Sequence, residues 1–342
     1  MVRPLPTHRR VIRRTDDFTP GTPKTKLVSE PLPTTLSPTS VLVKVHAVAL
    51  NYRDANIANG GNPWPVVPNG ILGNDAAGEV RTLAIGDRAA PITDTENISN
   101  REPSRSWLAA DEDGVMADFL VFDERVLCKL PRYLSWEEAA IVPCAGVTAW
   151  SALKGMHIAQ TVLIQGTGGV SVFALKLTRA AGLRIILTSS SDVKLQQMKD
   201  KLGSPPISTL NYAKTPDWDQ EVLRLTNGVG VDIVVENGGT SSLVKSLMCT
   251  RRGGVVSQVG YLAKQDPSEL RELIPTIIDR RVILRGINAG SKYDMEDFCA
   301  ALEATQTPLG DLIDKVFTFE QAEEAVDYVW QGRQIGKIVL RV

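Results

Sequence analysis

Cysteine is scarce in the sequence and is never closely paired. The four cysteines are far apart, and no two of them form a C-x-x-C pair: they are Cys128, Cys144, Cys249 and Cys299. A disulfide framework or a clustered structural zinc site needs paired or closely spaced cysteines. We therefore expect four reduced thiols.

Histidine is scarcer still, with three in 342 residues. His8 lies in the charged N-terminal stretch, His46 lies on an alternating β-pattern, and His157 lies in a loop. No pair has the close spacing of a metal-binding motif. We interpret each histidine as structural.

Long apolar runs and an excess of one charge are also missing. No run approaches the roughly 20 apolar residues of a membrane span, and the N-terminus has no apolar core of a secretory signal. The formal net charge is -1, which gives no electrostatic basis for binding nucleic acid or an anionic membrane. These absences predict a cytoplasmic protein, and 342 residues with 43% hydrophobic content suffice for two domains.

The hydrophobic period changes near residue 130. Up to about residue 128 the segments are short and β-rich, and residues 40–50 (SVLVKVHAVAL) alternate with the period of a strand. From about residue 135, near-continuous apolar runs alternate with helical patterns, as is typical of parallel strands covered on both faces. These runs are TVLIQ, RIILT, VDIVV, GGVVSQVG and VILRGI. The pattern predicts a barrel-like domain followed by an α/β domain with a doubly wound parallel sheet.

Polar residues mark the starts of two helices. Ser135 and Glu138 form a capping box ahead of a helix that Pro143 should break or kink. Thr318 and Gln321 form a second capping box ahead of the last helix. Residues 94–114 are polar and turn-rich, which predicts a long surface loop.

A glycine-rich turn joins the first strand of the α/β domain to its helix. It reads Gly166-Thr167-Gly168-Gly169-Val170-Ser171. In a dinucleotide-binding turn the first glycine permits the tight turn, the second lets the backbone approach a pyrophosphate, and the helix N-terminus supplies free N–H groups. Ser171 replaces the third glycine with another small residue. The turn predicts a bound dinucleotide, and a tight turn without a ligand is the alternative.

The end of the next strand, in TSSSDVKL, indicates whether the cofactor is NAD or NADP. An acidic residue there usually accepts from the ribose hydroxyls of NAD, and that position falls on Ser189. Ser189 and Ser190 can donate to a 2′-phosphate, and Lys194 offers a point charge. Asp192 is expected to cap the following helix. The sequence predicts NADPH (NADP), and a solvated helix start with an exposed lysine is the alternative.

These motifs together resemble the zinc-free quinone oxidoreductase-like branch of the medium-chain dehydrogenase/reductase superfamily, the zinc-type alcohol dehydrogenase-like proteins. The similar segments follow the family's order over nearly the whole chain: VLVKVHAVALNYRD, VPNGILGNDAAGEV, GDRAAP, VPCAGVTAWSAL, VLIQGTGGVSVFALKLTRAAG, TSSSDVKL and GKIVL. The resemblance implies an α/β fold with a GroES-like β-barrel catalytic domain of residues 1–128 and 290–342. A six-stranded Rossmann cofactor domain of residues 129–289 would lie beside it, with the active site in the cleft between them.

Most of the positions that hold catalytic zinc in zinc-dependent relatives are changed. The early cysteine reads Asn51, the Gly-His-Glu triplet reads Gly73-Asn74-Asp75, and only Cys144 matches a ligand. One thiolate cannot replace three ligands of a tetrahedral ion. We expect no metal and a packing role for Cys144. The family's barrel hairpin is also several residues shorter here, at residues 79–86.

Further cofactor contacts are implied by the resemblance. Thr148 matches a residue beside the nicotinamide, and Tyr212 and Arg333 match residues at the 2′-phosphate. Three more candidates follow strands whose C-terminal ends face the cofactor in a doubly wound sheet: they are Asn237, Gly260 and Asn288. Ordinary loop and cap positions are the alternative for each.

The leading functional hypothesis is NADPH-dependent, metal-independent reduction of quinones or α,β-unsaturated carbonyls, which are small electrophilic substrates. Asn51 and Tyr52 are candidates for polarising the substrate, and Asp54 is a candidate for orienting their loop. The alternative is that Asn51 only ties down the barrel loop and that Tyr52 is packed away.

Two other functions stay open: a zinc-free reductase of ketones or aldehydes, and a non-catalytic dinucleotide-binding protein. The apolar run at residues 281–287 is the last strand of its predicted sheet. An exposed edge of this kind is prone to pair with another chain, which predicts a homodimer.

Overall fold

The computed structural model describes residues 6–82, 85–202, 204–263 and 265–342. The chain divides into two compact units. The first consists of Met1–Val147 and Ala289–Val342, and the second of Thr148–Asn288. No helix in the described ranges is long and apolar enough to span a membrane.

Strands and helices alternate along the part of the chain that the structure describes. The strands are β1 (His8–Arg14), β2 (Thr25–Pro31), β3 (Ser40–Leu50), β4 (Ala76–Val80), β5 (Arg88–Pro91), β6 (Phe119–Asp123), β7 (Leu127–Lys129), β8 (Thr161–Gln165), β9 (Arg184–Ser189), β10 (Ser208–Asn211), β11 (Val231–Glu236), β12 (Thr250–Gln258), β13 (Ile283–Gly286), β14 (Ile313–Thr318) and β15 (Lys337–Arg341). The helices are α1 (Tyr52–Ala58), α2 (Trp136–Ala140), α3 (Val147–Ala152), α4 (Gly169–Ala180), α5 (Asp192–Leu202), α6 (Trp218–Leu225), α7 (Thr240–Met248), α8 (Leu273–Arg280), α9 (Lys292–Thr305) and α10 (Ala322–Trp330).

The first unit is built around a sheet in the order β14-β15-β3-β4-β5-β7, with β6 also paired to β3. The only parallel neighbours among its described strands are β14 and β15. The predicted strand at residues 40–50 is confirmed as β3, which contributes Val45, Val48 and Leu50 to a core that it shares with β15. The C-terminal strand β15 thus completes the N-terminal barrel.

The second unit contains a parallel sheet of six described strands in the order β10-β9-β8-β11-β12-β13. The predicted doubly wound sheet is confirmed. The order reverses between β8 and β11, and ligands of open α/β sheets bind at the carboxyl ends of strands beside such a reversal. The glycine turn follows β8 directly.

The boundary between the units differs from the predicted one. Residues 129–147, which we assigned to the cofactor domain, belong to the first unit. The reason is that α2 packs against β3, β4 and β15 of the barrel sheet. The predicted break at Pro143 is confirmed as a π-helical turn, Val142–Gly146, between α2 and α3.

The polar stretch at residues 94–114 is irregular, but it is not wholly a surface loop. Leu108, Ala109 and Ala110 are buried, and Leu108 belongs to the barrel core. Asn100 Nδ2 donates to Asp294 Oδ2 over 3.0 Å and ties the loop to the start of α9. The shortened hairpin includes residues 83 and 84, which lie outside the described residues.

Gly114 holds the segment that leads to β4. The N–H of Gly114 donates to Ile71 O over 2.8 Å, and the N–H of Val115 donates to Gly73 O over 2.9 Å. A Cβ on Gly114 would lie within 2.6 Å of the carbonyl oxygens of Ile71, Leu72 and Gly73. These oxygens belong to backbone that is already hydrogen-bonded, so it has little room to move.

We predict that Gly114→Ala lowers the free energy of unfolding by about 1–3 kcal/mol, the usual range for overpacking. Urea denaturation of the wild type and the variant measures the difference. Gly310→Ala is the matched control in the same unit, because its Cβ would meet nothing closer than 3.4 Å. Equal destabilisation by both substitutions would contradict the close packing at Gly114.

Candidate functional site

The glycine turn is open where a dinucleotide turn needs to be open. Gly166 has φ +78 and its N–H donates to Thr188 O over 2.7 Å, which joins the turn to β9. Gly168 is the N-cap of α4, and no side chain caps this helix. The Cβ that Gly168 lacks would meet nothing within 4 Å, and its φ of -79 suits any residue. Nothing inside the chain requires glycine there, whereas a closely approaching phosphate does.

Ser171 performs the packing function of the missing third glycine. It is 3% exposed, and its Oγ donates to Gln165 O over 2.7 Å at the end of β8. The Ser171 hydroxyl therefore adds a hydrogen bond between α4 and β8, where a glycine would provide close packing alone. The other residues of the turn lie at the start of α4 or just before it: Thr167, Gly169 and Val170.

The strand end at β9 has the predicted hydroxyls. Ser189 is buried and its Oγ accepts from the Ser191 N–H over 3.2 Å, while Ser190 is exposed. The prediction for Asp192 is wrong: Ser191 precedes the helix and its Oγ accepts from the Lys194 N–H over 3.3 Å, whereas Asp192 is the first helical residue. The Asp192 carboxylate forms an ion pair with Lys214 and accepts a hydrogen bond from Asn211 Nδ2. These two partners engage the carboxylate, and Ser191 caps the helix in its place.

Tyr212 adjoins the same strand end. Its N–H donates to Ser189 O over 3.2 Å, and its side chain is 45% exposed. The structure therefore brings the backbones of Ser189, Ser190, Lys194 and Tyr212 together near the carboxyl ends of β9 and β10. Two hydroxyls, one ammonium and one aromatic ring suit a phosphate on a ribose.

Asn237 is a structural link in the second unit. Its Nδ2 donates to Gln165 O over 2.8 Å, which joins the ends of β8 and β11. Gly260 lies beside it, because a Cβ there would come within 2.8 Å of Asn237 O. Thr148 is 5% exposed in α3, and Asn288 is exposed after β13.

Sequence reasoning missed the carboxylate beneath this edge. Glu236 is fully buried at the end of β11, and its side chain accepts from Gln165 Nε2 over 2.6 Å and from the Gly238 N–H over 2.8 Å. Ser242 and Ser246 also donate to it. A charged residue at the end of an apolar run was the available signal. Glu236 fixes the loop after β11 at the cofactor edge.

The catalytic candidates of the first unit surround a buried ion pair. Lys337 begins β15 and is 1% exposed, and Asp75 precedes β4 and is fully buried. Lys337 Nζ lies 2.9 Å from Asp75 Oδ2. The other carboxylate oxygen, Asp75 Oδ1, accepts from the Cys144 N–H over 2.5 Å. Both charges are thus compensated inside the barrel.

Asn51 is bound to the ion pair from the loop before α1. Its Oδ1 accepts from Lys337 Nζ over 2.7 Å. Its Nδ2 donates to Asp75 Oδ2 over 2.8 Å and to Asn74 Oδ1 over 2.9 Å. Both N–H bonds of the Asn51 amide are therefore used within the cluster, which leaves Asn51 no donor for a substrate.

Asp54 caps α1 from inside. Its Oδ2 accepts from the Asn51 N–H over 2.7 Å, while the buried Oδ1 has no hydrogen-bond partner in the described part of the chain. Burial raises the pKa of Asp54 to about 6, against the opposing effects of the Asn51 N–H and of the Arg53 and Lys337 charges.

Tyr52 and Arg333 each lie against an aromatic side chain of α10 in the first unit. The Tyr52 ring stacks on Trp330 with centroids 6.2 Å apart, so it is partly packed. Its hydroxyl makes no hydrogen bond to any described residue. Arg333 is exposed, and its guanidinium lies 5.8 Å from the centre of the Tyr328 ring.

The donors at the former zinc positions do not fit a catalytic zinc ion. Asn51 and Asn74 offer neutral amides, and both Asp75 oxygens already accept hydrogen bonds. Burial, followed by the Asp75 charge, raises the pKa of the Cys144 thiol to about 12, which disfavours the thiolate that zinc binds. The Lys337 ammonium also places a positive charge within the cluster, where it would repel a cation.

The chain matches two family descriptions: "Alcohol dehydrogenase GroES-like domain" over residues 37–132 and "Zinc-binding dehydrogenase" over residues 169–304. It is 38% identical to the zinc-type alcohol dehydrogenase-like protein C1773.06c of Schizosaccharomyces pombe, over 91% of this chain and 93% of that protein. It is 27% identical to an L-threonine 3-dehydrogenase of Symbiobacterium thermophilum, over 93% and 94% of the two chains. A putative alcohol dehydrogenase of Sinorhizobium meliloti superposes with a TM-score of 0.86 at 26% identity, over 99% and 100%.

The GroES-like barrel and the Rossmann sheet are those of an alcohol dehydrogenase-like oxidoreductase. The chain belongs to the medium-chain dehydrogenase/reductase superfamily, as the sequence predicted. It is an NAD(P)-dependent oxidoreductase of that type. The open glycine turn fits the dinucleotide that this activity needs.

Because the pKa of Asp54 in the folded chain is above its ordinary value of 3.8, the folded state binds the extra proton between about pH 4 and pH 6. Asp54 therefore favours folding at low pH, and ionising it costs about 3 kcal/mol as the pH rises through 6. Asp54→Asn should remove this cost. We predict that the variant gains about 1–2 kcal/mol relative to the wild type between pH 5 and pH 7.5.

Urea unfolding at both pH values measures this gain. Asp200→Asn, on the exposed side of α5, is the control and should show none. A constant difference between Asp54→Asn and the wild type across this range would contradict the raised pKa.

Proposed function

We propose that the protein is an NADPH-dependent, metal-independent reductase of quinones or α,β-unsaturated carbonyls. The observation that carries the proposal is the Lys337–Asp75–Asn51 cluster, in which Asn51 occupies one of the positions that hold zinc in metal-dependent relatives. The two charges of the cluster compensate each other and are almost completely buried, and Asn51 is half-buried. The amide of Asn51 and the carboxylate of Asp75 are both used within the cluster, which supplies no Lewis acid, so a substrate would take its hydrogen bonds from neutral donors beside it.

The demand for charge stabilisation decides the substrate class. A simple ketone that accepts a hydride concentrates negative charge on one oxygen, which a metal ion stabilises by several kcal/mol. A single hydrogen-bond donor contributes about 2.7–4 kcal/mol in comparable oxyanion sites. A quinone or enone spreads the same charge over a conjugated system, so one or two neutral donors are sufficient.

The residues of this chain would act around the carbonyl. NADPH, when bound, would supply a hydride for the β-carbon of the enone. Tyr52 then has a hydroxyl that can donate to the carbonyl oxygen, and the proton reaches the α-carbon from water. Asp54 holds the Asn51 backbone, which fixes the start of the helix that carries Tyr52. Asn51 acts as a tie in the loop, because its amide is already saturated.

The preference for NADPH is supported by the strand end at β9. Ser189 stands where an acidic residue would bind the ribose hydroxyls of NAD, and Ser190, Lys194 and Tyr212 lie around it. Arg333 is a further candidate for the 2′-phosphate. Thr148, Asn237, Gly260 and Asn288 are proposed to line the remainder of the cofactor site.

For the cofactor we predict tighter binding of NADPH than of NADH. Lys194→Ala should weaken NADPH binding about 10- to 100-fold, because a charge-assisted hydrogen bond contributes about 1.5–3 kcal/mol, and NADH binding should not change. Fluorescence titration of both cofactors measures this. Lys199→Ala, in the last turn of the same helix, is the control. Equal affinities for the two cofactors in the wild type would refute the preference.

For the substrate we predict faster oxidation of NADPH with a cyclic enone than with the saturated ketone of the same ring. The two substrates share size and polarity, and they differ in the conjugation that spreads the charge. Initial rates at matched concentrations decide the question. Faster turnover of the saturated ketone would favour the ketone reductase, and binding of NADPH without turnover of either would favour a non-catalytic protein.

We further propose that the chain forms a homodimer through β13. Ile283 and Leu284 on this edge strand are 57% and 36% exposed, and Ile274 and Ile278 on the neighbouring α8 are 62% and 71% exposed. Unpaired edge groups next to apolar side chains favour pairing with a second copy. The cytoplasmic location expected from the sequence stays a prediction.

Sedimentation at micromolar concentration should show a dimer for the wild type and a monomer for Ile283→Glu, because the substitution places a charge on the paired edge. Ile158→Glu is a matched control in the same unit, since Ile158 is 83% exposed in a loop. A wild-type monomer, or dissociation caused equally by both substitutions, would rule out this interface.

A further inference from the structure

We infer that Asn74 is the amide that donates a hydrogen bond to the substrate carbonyl, and that Lys337 orients it through Asn51. The inference rests on the proposed function, because it places the reacting carbonyl beside this cluster. It gives Asn74 a catalytic role and gives Lys337 and Asn51 positioning roles. An ammonium group can donate hydrogen bonds but cannot accept them.

The Lys337 ammonium determines which end of the Asn51 amide faces it. Only an oxygen can accept from Nζ, so the atom 2.7 Å away must be Asn51 Oδ1. The other end is then Nδ2, which donates to Asp75 Oδ2 and to the Asn74 side chain. The hydrogen-bond network thus resolves an orientation that the shape of an amide alone leaves ambiguous.

The orientation of Asn51 determines that of Asn74 in turn. The atom of Asn74 that lies 2.9 Å from Asn51 Nδ2 must accept, so it is Oδ1. Asn74 Nδ2 therefore points away from the ion pair with two N–H bonds. This nitrogen makes no hydrogen bond to any residue in the described ranges. Asn74 as a whole is 1% exposed. Its Nδ2 is absent from the fully buried side-chain atoms that lack a hydrogen-bond partner, so this nitrogen keeps part of that small exposure.

Backbone contacts hold Asn74 on both sides. Met116 N–H donates to Leu72 O and Val115 N–H donates to Gly73 O, each over 2.9 Å, and Ala49 N–H donates to Asp75 O over 2.8 Å. A donor on fixed backbone loses little entropy when it binds a ligand, and it needs no reorganisation as charge develops on the substrate. Its hydrogen bond therefore strengthens as the carbonyl becomes an enolate.

A neutral amide donor also suits the surroundings. The charges of Asp75 and Lys337 compensate each other, so the Asn74 amide lies next to a pair with no net charge. An amide N–H also does not lose its proton to the enolate. Asn51 cannot perform this function because both of its N–H bonds are used. Tyr52 can supply a second hydrogen bond from α1.

The test compares the wild type with Asn74→Leu and Asn74→Asp, two variants of similar size that lack the amide donor. We expect kcat for enone reduction to fall about 10²- to 10³-fold in both, as for the loss of one oxyanion donor, with NADPH affinity unchanged. Asn62→Leu is the matched control, because the Asn62 amide donates to the Trp64 backbone instead. It should keep the wild-type kcat.

A second readout does not depend on turnover. Infrared difference spectroscopy of a cyclic enone with a carbon-13-labelled carbonyl, bound together with NADP, should show a lowered C=O stretching frequency in the wild type. The frequency should rise in both Asn74 variants and stay lowered in Asn62→Leu. Wild-type kcat and an unchanged frequency in the Asn74 variants would overturn the inference.

Asn51→Asp tests the positioning roles with Asn74 still present. An aspartate accepts from Lys337 but cannot donate to Asn74 Oδ1, so the Asn74 amide should turn over and withdraw its donor. The enone frequency should then rise as in Asn74→Leu, and an unshifted frequency in this folded variant would contradict the relay. If the wild type reduces no enone but its C=O frequency still depends on Asn74, the proposed function and the catalytic role of Asn74 fail, and the hydrogen bond from Asn74 to the carbonyl stands. Failure of the enone to bind would overturn both.

Discussion

The Lys337 ammonium and the Asp75 carboxylate meet 2.9 Å apart at a point where both side chains are almost completely removed from water. Removing two charges from water is costly, and only close pairing with additional hydrogen bonds offsets that cost. Asn51 and the Cys144 N–H supply those bonds here. The loop before α1, the segment before β4, the π-helical turn and β15 are therefore joined at one place.

This constraint explains much of the chemistry of the first unit. The positive charge inside the cluster belongs to a side chain that is nearly buried, so it cannot coordinate a substrate oxygen as a metal ion would. The carboxylate is fully engaged, and the thiol of Cys144 is held in its protonated form by burial. The donor that we propose beside the cluster is the neutral amide of Asn74. A reaction that delocalises the developing charge is the reaction that such a donor can support.

The sequence was sufficient for the parts of the structure that depend on local pattern. The alternation at residues 40–50, the apolar runs of the parallel sheet and the glycine turn each predicted the element that forms. Ser171 was predicted to substitute for a glycine by its size, and the structure adds its hydrogen bond to Gln165 O. The domain boundary failed because no local signal shows that α2 packs on barrel strands rather than on the parallel sheet.

The pairings at long sequence separation could not be predicted in the same way. Lys337 lies 262 positions after Asp75, and a lysine at the start of a strand is usually solvated. Asn51 looked like a free donor because its partners were not visible in the sequence, and Asp192 looked like a cap because Ser191 also fits that position. In each case the side chain had several possible partners, and only the fold selects among them.

The metal content of the purified protein tests the central claim most directly. Mass spectrometry after expression in zinc-supplemented medium, followed by dialysis, should find zinc far below one equivalent per chain, because the amides of Asn51 and Asn74 stand where zinc ligands would be needed and the Lys337 ammonium is bonded to one of them. One equivalent of zinc that resists dialysis and is lost in Cys144→Ala would contradict the account.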